Sequence, residues 1–203
     1  MHNNYKPLWE KRYSESENMP WDVEQPEAWV VELAGQGKIL GNILDAGCGP
    51  GRNALWLASA GFNVIGADIS SLAIKQAKQK AREQQNRAKF ICTNMQTFSK
   101  YDNYFDTIID IGCYHSPCAA SDRRKYVENL YRMCKSNAVI YMRAFQTMRL
   151  DDGTHINGCT EELIRTDFAN FYWEICDMQC REVDLLTLAG KADAWFVIIK
   201  KKN

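Results

Sequence analysis

The sequence predicts an α/β fold, a doubly wound seven-stranded mixed sheet with helices on both faces, and three observations predict it. Short apolar runs alternate with helical segments from residue 43 onward, the order expected of parallel strands joined by crossover helices. A glycine-rich turn, Gly47-Cys48-Gly49-Pro50-Gly51, separates the first apolar run from the first of those helices. The last two strand-like runs, near 172–184 and 194–200, have no helical pattern between them. They pair antiparallel and end the sheet in an antiparallel strand.

Taken in order, a helix runs over 26–33 and stops at Gly35-Gln36-Gly37. Strands at 43–45 and 63–67 enclose a helix at 53–60 that Gly61 closes. Ser70 or Ser71 caps a helix from 72 to about 85. Strands follow at 89–92 and 105–110, then an amphipathic helix at 122–134 and a fifth strand at 138–143. Thr160 offers a cap to a helix ending at 167. Residues 1–36 read as an N-terminal helical lid segment and 37–203 as the sheet domain. Tyr5, Trp9, Tyr13 and Trp21 make the first 22 residues rich in aromatics, too many for a tail with nothing to cover.

The chain has 203 residues, 46% of them hydrophobic, enough for one domain with a real core. Lysine plus arginine equals aspartate plus glutamate, 25 against 25. Dedicated nucleic-acid binders carry a basic surplus, so no nucleic-acid partner is expected. No apolar run approaches the roughly 20 residues that cross a bilayer, and no signal peptide is evident. The expectation is a cytoplasmic protein with its eight cysteines reduced and no metal site. Oligomeric state is not legible.

The turn Gly47-x-Gly49-x-Gly51 lies at the carboxyl edge of the expected sheet, where open α/β sheets bind ligands. Dinucleotide enzymes use a GxGxxG turn in that place, but the sixth position here is Arg52. Asp45 stands just before the turn. A carboxylate there repels a pyrophosphate and attracts the ammonium of a methionyl group, which favours S-adenosylmethionine over NAD. Asp68 falls 21 residues beyond Gly47, near the ~20-residue offset at which an acid meets ribose hydroxyls.

These features resemble the class I S-adenosylmethionine-dependent methyltransferases, whose Rossmann-like fold ends in such a strand pair, and the resemblance covers essentially the whole chain. Residues 43–53 look like the family's first motif and 64–70 like its second strand and acid. That places Asp45, Gly47, Gly49, Gly51, Asp68 and the following Ile69 at the cofactor. Residues 90–96 are similar to the adenine-binding segment, where the usual aspartate is replaced by Asn94, followed by Met95. The resemblance implies that Asp110 and Gly112, after the fourth strand, approach the methionyl part. Trp9, Tyr13, Pro20-Trp21-Asp22 and Gly112-Cys113-Tyr114-His115 are similar to the branch of tellurite-resistance, thiopurine and thiol or halide methyltransferases. In that branch the N-terminal segment closes over the cofactor, which implies for Trp21 either a place beside the sulfonium or plain packing of the lid on the domain.

The expected reaction is methyl transfer to a small-molecule acceptor, with S-adenosylhomocysteine as product. Such an in-line displacement needs positioning and exclusion of water. His115 is the best-placed candidate base, with His155 behind it and pocket lining as the plainer role. Thiolates of Cys113, Cys118 and Cys159 are a conceivable hold on a soft acceptor, and buried structural cysteine is the plainer reading. Two rivals stand beside this expectation: a catalytically inactive adenosylmethionine-binding regulator, and an NAD-dependent oxidoreductase.

Overall fold

Apolar runs on β1 (Asn42–Ala46), β2 (Asn63–Asp68), β3 (Lys89–Cys92), β4 (Phe105–Ile111) and β5 (Cys134–Phe145) build five parallel strands, of which β1, β2 and β4 are buried on both faces. The computed structural model describes residues 5–15, 24–116, 119–149, 155–156, 158–169, 172–184 and 191–202. The sheet order is β3-β2-β1-β4-β5-β9-β8, with β8 (Trp173–Asp184) and β9 (Lys191–Lys201) antiparallel to each other and β9 antiparallel to β5. Strand order reverses between β1 and β4, which opens a crevice at the carboxyl ends of those strands.

Successive residues point to opposite layers. Leu44, Ile65, Ile108 and Ile140 pack against α5 (Ala120–Met133) and α6 (Glu161–Phe168) through Tyr126, Leu130, Ile164 and Phe168. Ile43, Val64, Ile109 and Tyr141 meet α2 (Ala28–Gly35), α3 (Arg52–Ser59) and α4 (Ser71–Glu83) through Trp29, Leu33, Leu57 and Ile74. Ser70 is the cap of α4, accepting from the Ala73 N–H at 3.2 Å, and Thr160 caps α6 through the Leu163 N–H at 3.1 Å.

Three departures from the expected elements have physical reasons. The first helix, α1 (Lys6–Glu15), has a single buried residue, Tyr13, so no apolar stripe announced it. Strand β5 starts directly at the end of α5, with a register shift opposite Phe105–Thr107 and Asn137 at φ 63°, so the strand reaches well before Ala138. His155, expected on a loop over 151–158, lies in β7 (His155–Ile156), a two-residue strand paired with β6 (Met148–Arg149). Trp21, His2 and Cys118 fall outside the described residues. No helix among the described residues is long and apolar enough to cross a membrane, and no group of metal-ligating side chains occurs among them.

The central strands carry the stability. Ile108 is completely buried, whereas Leu40 is 63% exposed. Ile108→Ala is expected to cost about 2–5 kcal/mol and Leu40→Ala less than about 0.5 kcal/mol. Urea unfolding of the two variants beside the parent chain checks the contrast.

Candidate functional site

The chain leaves β1 at Ala46 and must turn at once to begin α3. Gly47 and Gly49 do this with φ of 68° and 54°, a left-handed geometry that costs glycine little. A Cβ on Gly47 would lie 2.7 Å from Cβ of Cys113, and one on Gly49 would lie 2.9 Å from the Tyr13 hydroxyl. The turn is therefore shaped by its backbone and by two segments that approach it. The N–H groups of Gly47 and Cys48 both donate to the Ala67 carbonyl, at 2.8 and 3.0 Å, and Gly51 is the residue before α3.

Three carboxylates gather beside this turn, and each is held by backbone N–H groups. Asp45 accepts from the Ala54 N–H at 3.0 Å in the first turn of α3. Asp68 accepts from the Gly49 N–H at 2.9 Å and the Ser70 N–H at 2.8 Å, bridging the glycine turn and the start of α4. Asp110 accepts from the N–H groups of Cys113 and Tyr114 and, at 2.6 Å, from the Tyr126 hydroxyl. All three are buried. Burial pushes the Asp45 carboxyl up to about 7, Asp110 up to about 6, and Asp68 above its ordinary value. The N–H donors pull the other way in each case, and for Asp45 the Arg52 cation also does so.

Helix α1 lies over this edge. Glu10 accepts from the Ser70 and Ser71 hydroxyls at 3.0 and 2.7 Å and from the N–H groups of Ser71 and Leu72. Those donors hold its carboxyl below the usual range despite some burial, and a carboxylate suits the positive end of α4. Tyr5 donates to Asp122 at 3.0 Å in the first turn of α5. The helix is thus tied to both α4 and α5, and Tyr13 sits between Gly49 and Ala73.

The remaining expected residues divide. Ile69 follows Asp68, half-buried, with its carbonyl near the Cys92 thiol. The Asn94 side-chain oxygen accepts from the Gln96 N–H at 2.9 Å and so closes a local turn. Met95 packs in the core against the α5 layer. His115 is half-buried as a residue, yet its Nδ1 is enclosed and has no hydrogen-bond partner among the described residues. Burial, with the Arg143 cation beside it, pushes this imidazole down to about 4, so it is neutral at physiological pH. Burial also raises the thiols of Cys48 and Cys113, which are protonated at that pH.

Charged residues that the sequence did not single out complete the edge. Glu27 Oε2 meets Arg143 at 2.7 Å and Arg52 at 3.3 Å. Arg143 interrupts the otherwise apolar run 138–145 of β5, and nothing in that run pointed to its pairing with Glu27. Glu10 carried no signal either.

The raised acids give a pH dependence with a definite sign. A carboxyl whose folded pKa lies above its unfolded value near 3.9 stabilises the fold below that value. The contribution is lost as pH rises through the folded pKa, about 7 for Asp45. His115 works oppositely between about 4 and 6.5. Asp45→Asn isolates the first effect. Without ligand, its stability relative to the parent is expected to rise by on the order of a few kcal/mol between pH 4 and 8. Chemical denaturation across that range reads the gap, and a constant difference refutes it.

A family model described as a methyltransferase domain matches residues 43–137. An uncharacterized methyltransferase of Schizosaccharomyces pombe is 40% identical over 115 residues, 57% of this chain and 79% of that one. The 2-heptyl-1-hydroxyquinolin-4(1H)-one methyltransferase of Mycobacteroides abscessus is 32% identical over 163 residues, 78% of this chain and 70% of that one. A solved structure described by the conversion of a disulfide bond into a thioacetal group during echinomycin biosynthesis superposes with a TM-score of 0.86 at 26% identity. That superposition covers 98% of this chain and 93% of that one. The NAD-dependent reading falls with these likenesses, and the chain belongs to the class I S-adenosylmethionine-dependent methyltransferases.

Proposed function

We propose that this protein transfers the methyl group of S-adenosylmethionine to a small-molecule acceptor whose nucleophile is a hydroxyl or a thiol. The observation that carries the reading is the row of three buried carboxylates beside a close-packed glycine turn. Acids buried without a neighbouring cation for each suit a ligand that is itself cationic and carries vicinal hydroxyls. Asp68 keeps lone pairs on both oxygens to accept from a ribose diol while holding Gly49 and Ser70. Asp45 and Asp110 supply negative potential for the ammonium and sulfonium. Gly47, Gly49 and Gly51 form the cofactor turn, packed so closely that a Cβ at any of them would strike Cys113, Tyr13 or Phe90, and Ile69, Asn94 and Met95 border the adenine end. Trp21 is assigned to the sulfonium on the family resemblance.

The bound donor supplies a methyl group already on an excellent leaving group, so the chain's work is placement and exclusion of water. Residues 1–36 serve as the lid, with α1 latched by Glu10 and Tyr5. A neutral His115 lines the acceptor side, and its low basicity makes it a poor proton acceptor near pH 7. The hydroxyquinolone methyltransferase and the disulfide-to-thioacetal protein support an oxygen or sulfur acceptor.

Thermal-shift titration tests the donor. S-adenosylhomocysteine is expected to raise the midpoint as its concentration passes Kd, and NAD to leave it unchanged. The reverse pattern rules the proposal out. Asp68→Ala should weaken S-adenosylhomocysteine binding about ten- to a hundredfold by calorimetry, because charge-assisted hydrogen bonds to the diol are lost. Glu10→Gln addresses the lid. It should loosen α1, seen as faster proteolysis within residues 1–24, and lower turnover with little change in the melting point. A large fall in melting point instead makes α1 plain packing.

A further inference from the structure

The cationic cluster at the start of α3 and the end of β5 has one carboxylate in contact with two cations, of which only Arg52 also acts through space on Asp45. Arg143 and Arg52 share one oxygen of Glu27, at 2.7 and 3.3 Å, so two guanidinium groups face one carboxylate. The three side chains are only 12–14% exposed. Glu27 is the one acceptor for the Arg143 guanidinium among the described residues, which leaves most of its five N–H donors unused. The same guanidinium lies 5.3 Å from the Phe145 ring centre, and the ring of His115 lies 5.7 Å from that ring. The enclosed Nδ1 of His115, without a hydrogen-bond partner among the described residues, thus belongs to a ring that packs on the same Phe145 as the Arg143 guanidinium. A half-buried excess of positive charge with idle donors is costly until an anion arrives.

We infer that Arg143, backed by Arg52, binds a negatively charged group of the methyl acceptor, so that the enzyme takes its acceptor as an oxyanion, thiolate or carboxylate. This rests on the methyltransferase reading above. An ionised acceptor has no proton to remove. Its lone pair forms the bond to the methyl carbon, the carbon–sulfur bond breaks with its electron pair returning to sulfur, and the positive and negative charges cancel. A weakly basic His115 is compatible with that chemistry, because the cationic cluster favours ionisation before transfer. The donor's own carboxylate is the other source of such an anion, and the experiment separates the two.

The full chain is first titrated with S-adenosylhomocysteine; absence of binding removes the methyltransferase reading itself. The loaded protein is then titrated at pH 8 with benzoate, benzenethiolate and the anion of 1-hydroxyquinolin-4(1H)-one. Benzamide, thioanisole and 1-methoxyquinolin-4(1H)-one serve as their neutral counterparts. The expected result is at least about a tenfold preference for one or more of the anions. Arg143→Gln should abolish that preference, while Glu27→Gln keeps or strengthens it by freeing both guanidinium groups. No preference in any pair overturns the inference. So does an equal loss of S-adenosylhomocysteine affinity in Arg143→Gln, which gives the cluster to the donor's carboxylate. If Glu27→Gln loses the preference together with Arg143→Gln, the cluster is a structural ion pair.

Discussion

Parallel register brings the carboxyl ends of β1, β2 and β4 level, with Ala46 opposite both Ala67 and Asp110. Asp45, Asp68 and Asp110 are therefore forced into one buried edge, where like charges repel and water cannot screen them. The chain meets that constraint with backbone N–H groups. One comes from α3, two come from the glycine turn and the start of α4, and two come from the turn after β4. Much of the local geometry follows from this satisfaction. The positive φ values at Gly47 and Gly49 turn the Gly49 N–H toward Asp68, and the Cys113–Tyr114 turn is fixed by Asp110. What the N–H donors leave uncompensated is negative potential along this edge.

Helix α1 adds a fourth acid to the same edge. Glu10 raises the Asp68 carboxyl by proximity while capping α4, so the helix is held by polar bonds and by one buried tyrosine, not by a broad apolar face. Such an attachment is strong in geometry and small in buried area. On the lid reading proposed above, that small buried area is what would let the helix release without unfolding the sheet.

Much of the sheet was legible because β-strands buried on both faces read as apolar runs, and glycine turns and serine or threonine caps mark where they end. The glycine turn, Asp45, Asp68 and Asp110 were legible for the same reason: their spacing along the chain follows from strand length. Helix α1 was not foreseen at its true extent, because polar capping by Glu10 leaves no period in the sequence. Asn94 and Met95 were named for an adenine contact on the family resemblance; the structure adds that the Asn94 side chain closes its own turn and that Met95 packs in the core. The Glu27–Arg52–Arg143 cluster joins residues from the starts of α2 and α3 and the end of β5, and pairings so far apart in the chain leave no local pattern.

The edge as a whole is polarised. Buried carboxylates end β1, β2 and β4, whereas two guanidinium groups, from the start of α3 and the end of β5, share one carboxylate. On the function proposed above, a sulfonium would be stabilised by the carboxylates and an anion by the guanidinium groups. Binding both reactants would then satisfy both halves, and transfer of the methyl group would annul the two charges that the halves attracted. The polarity that assembles the reacting pair would thereby weaken the hold on the products.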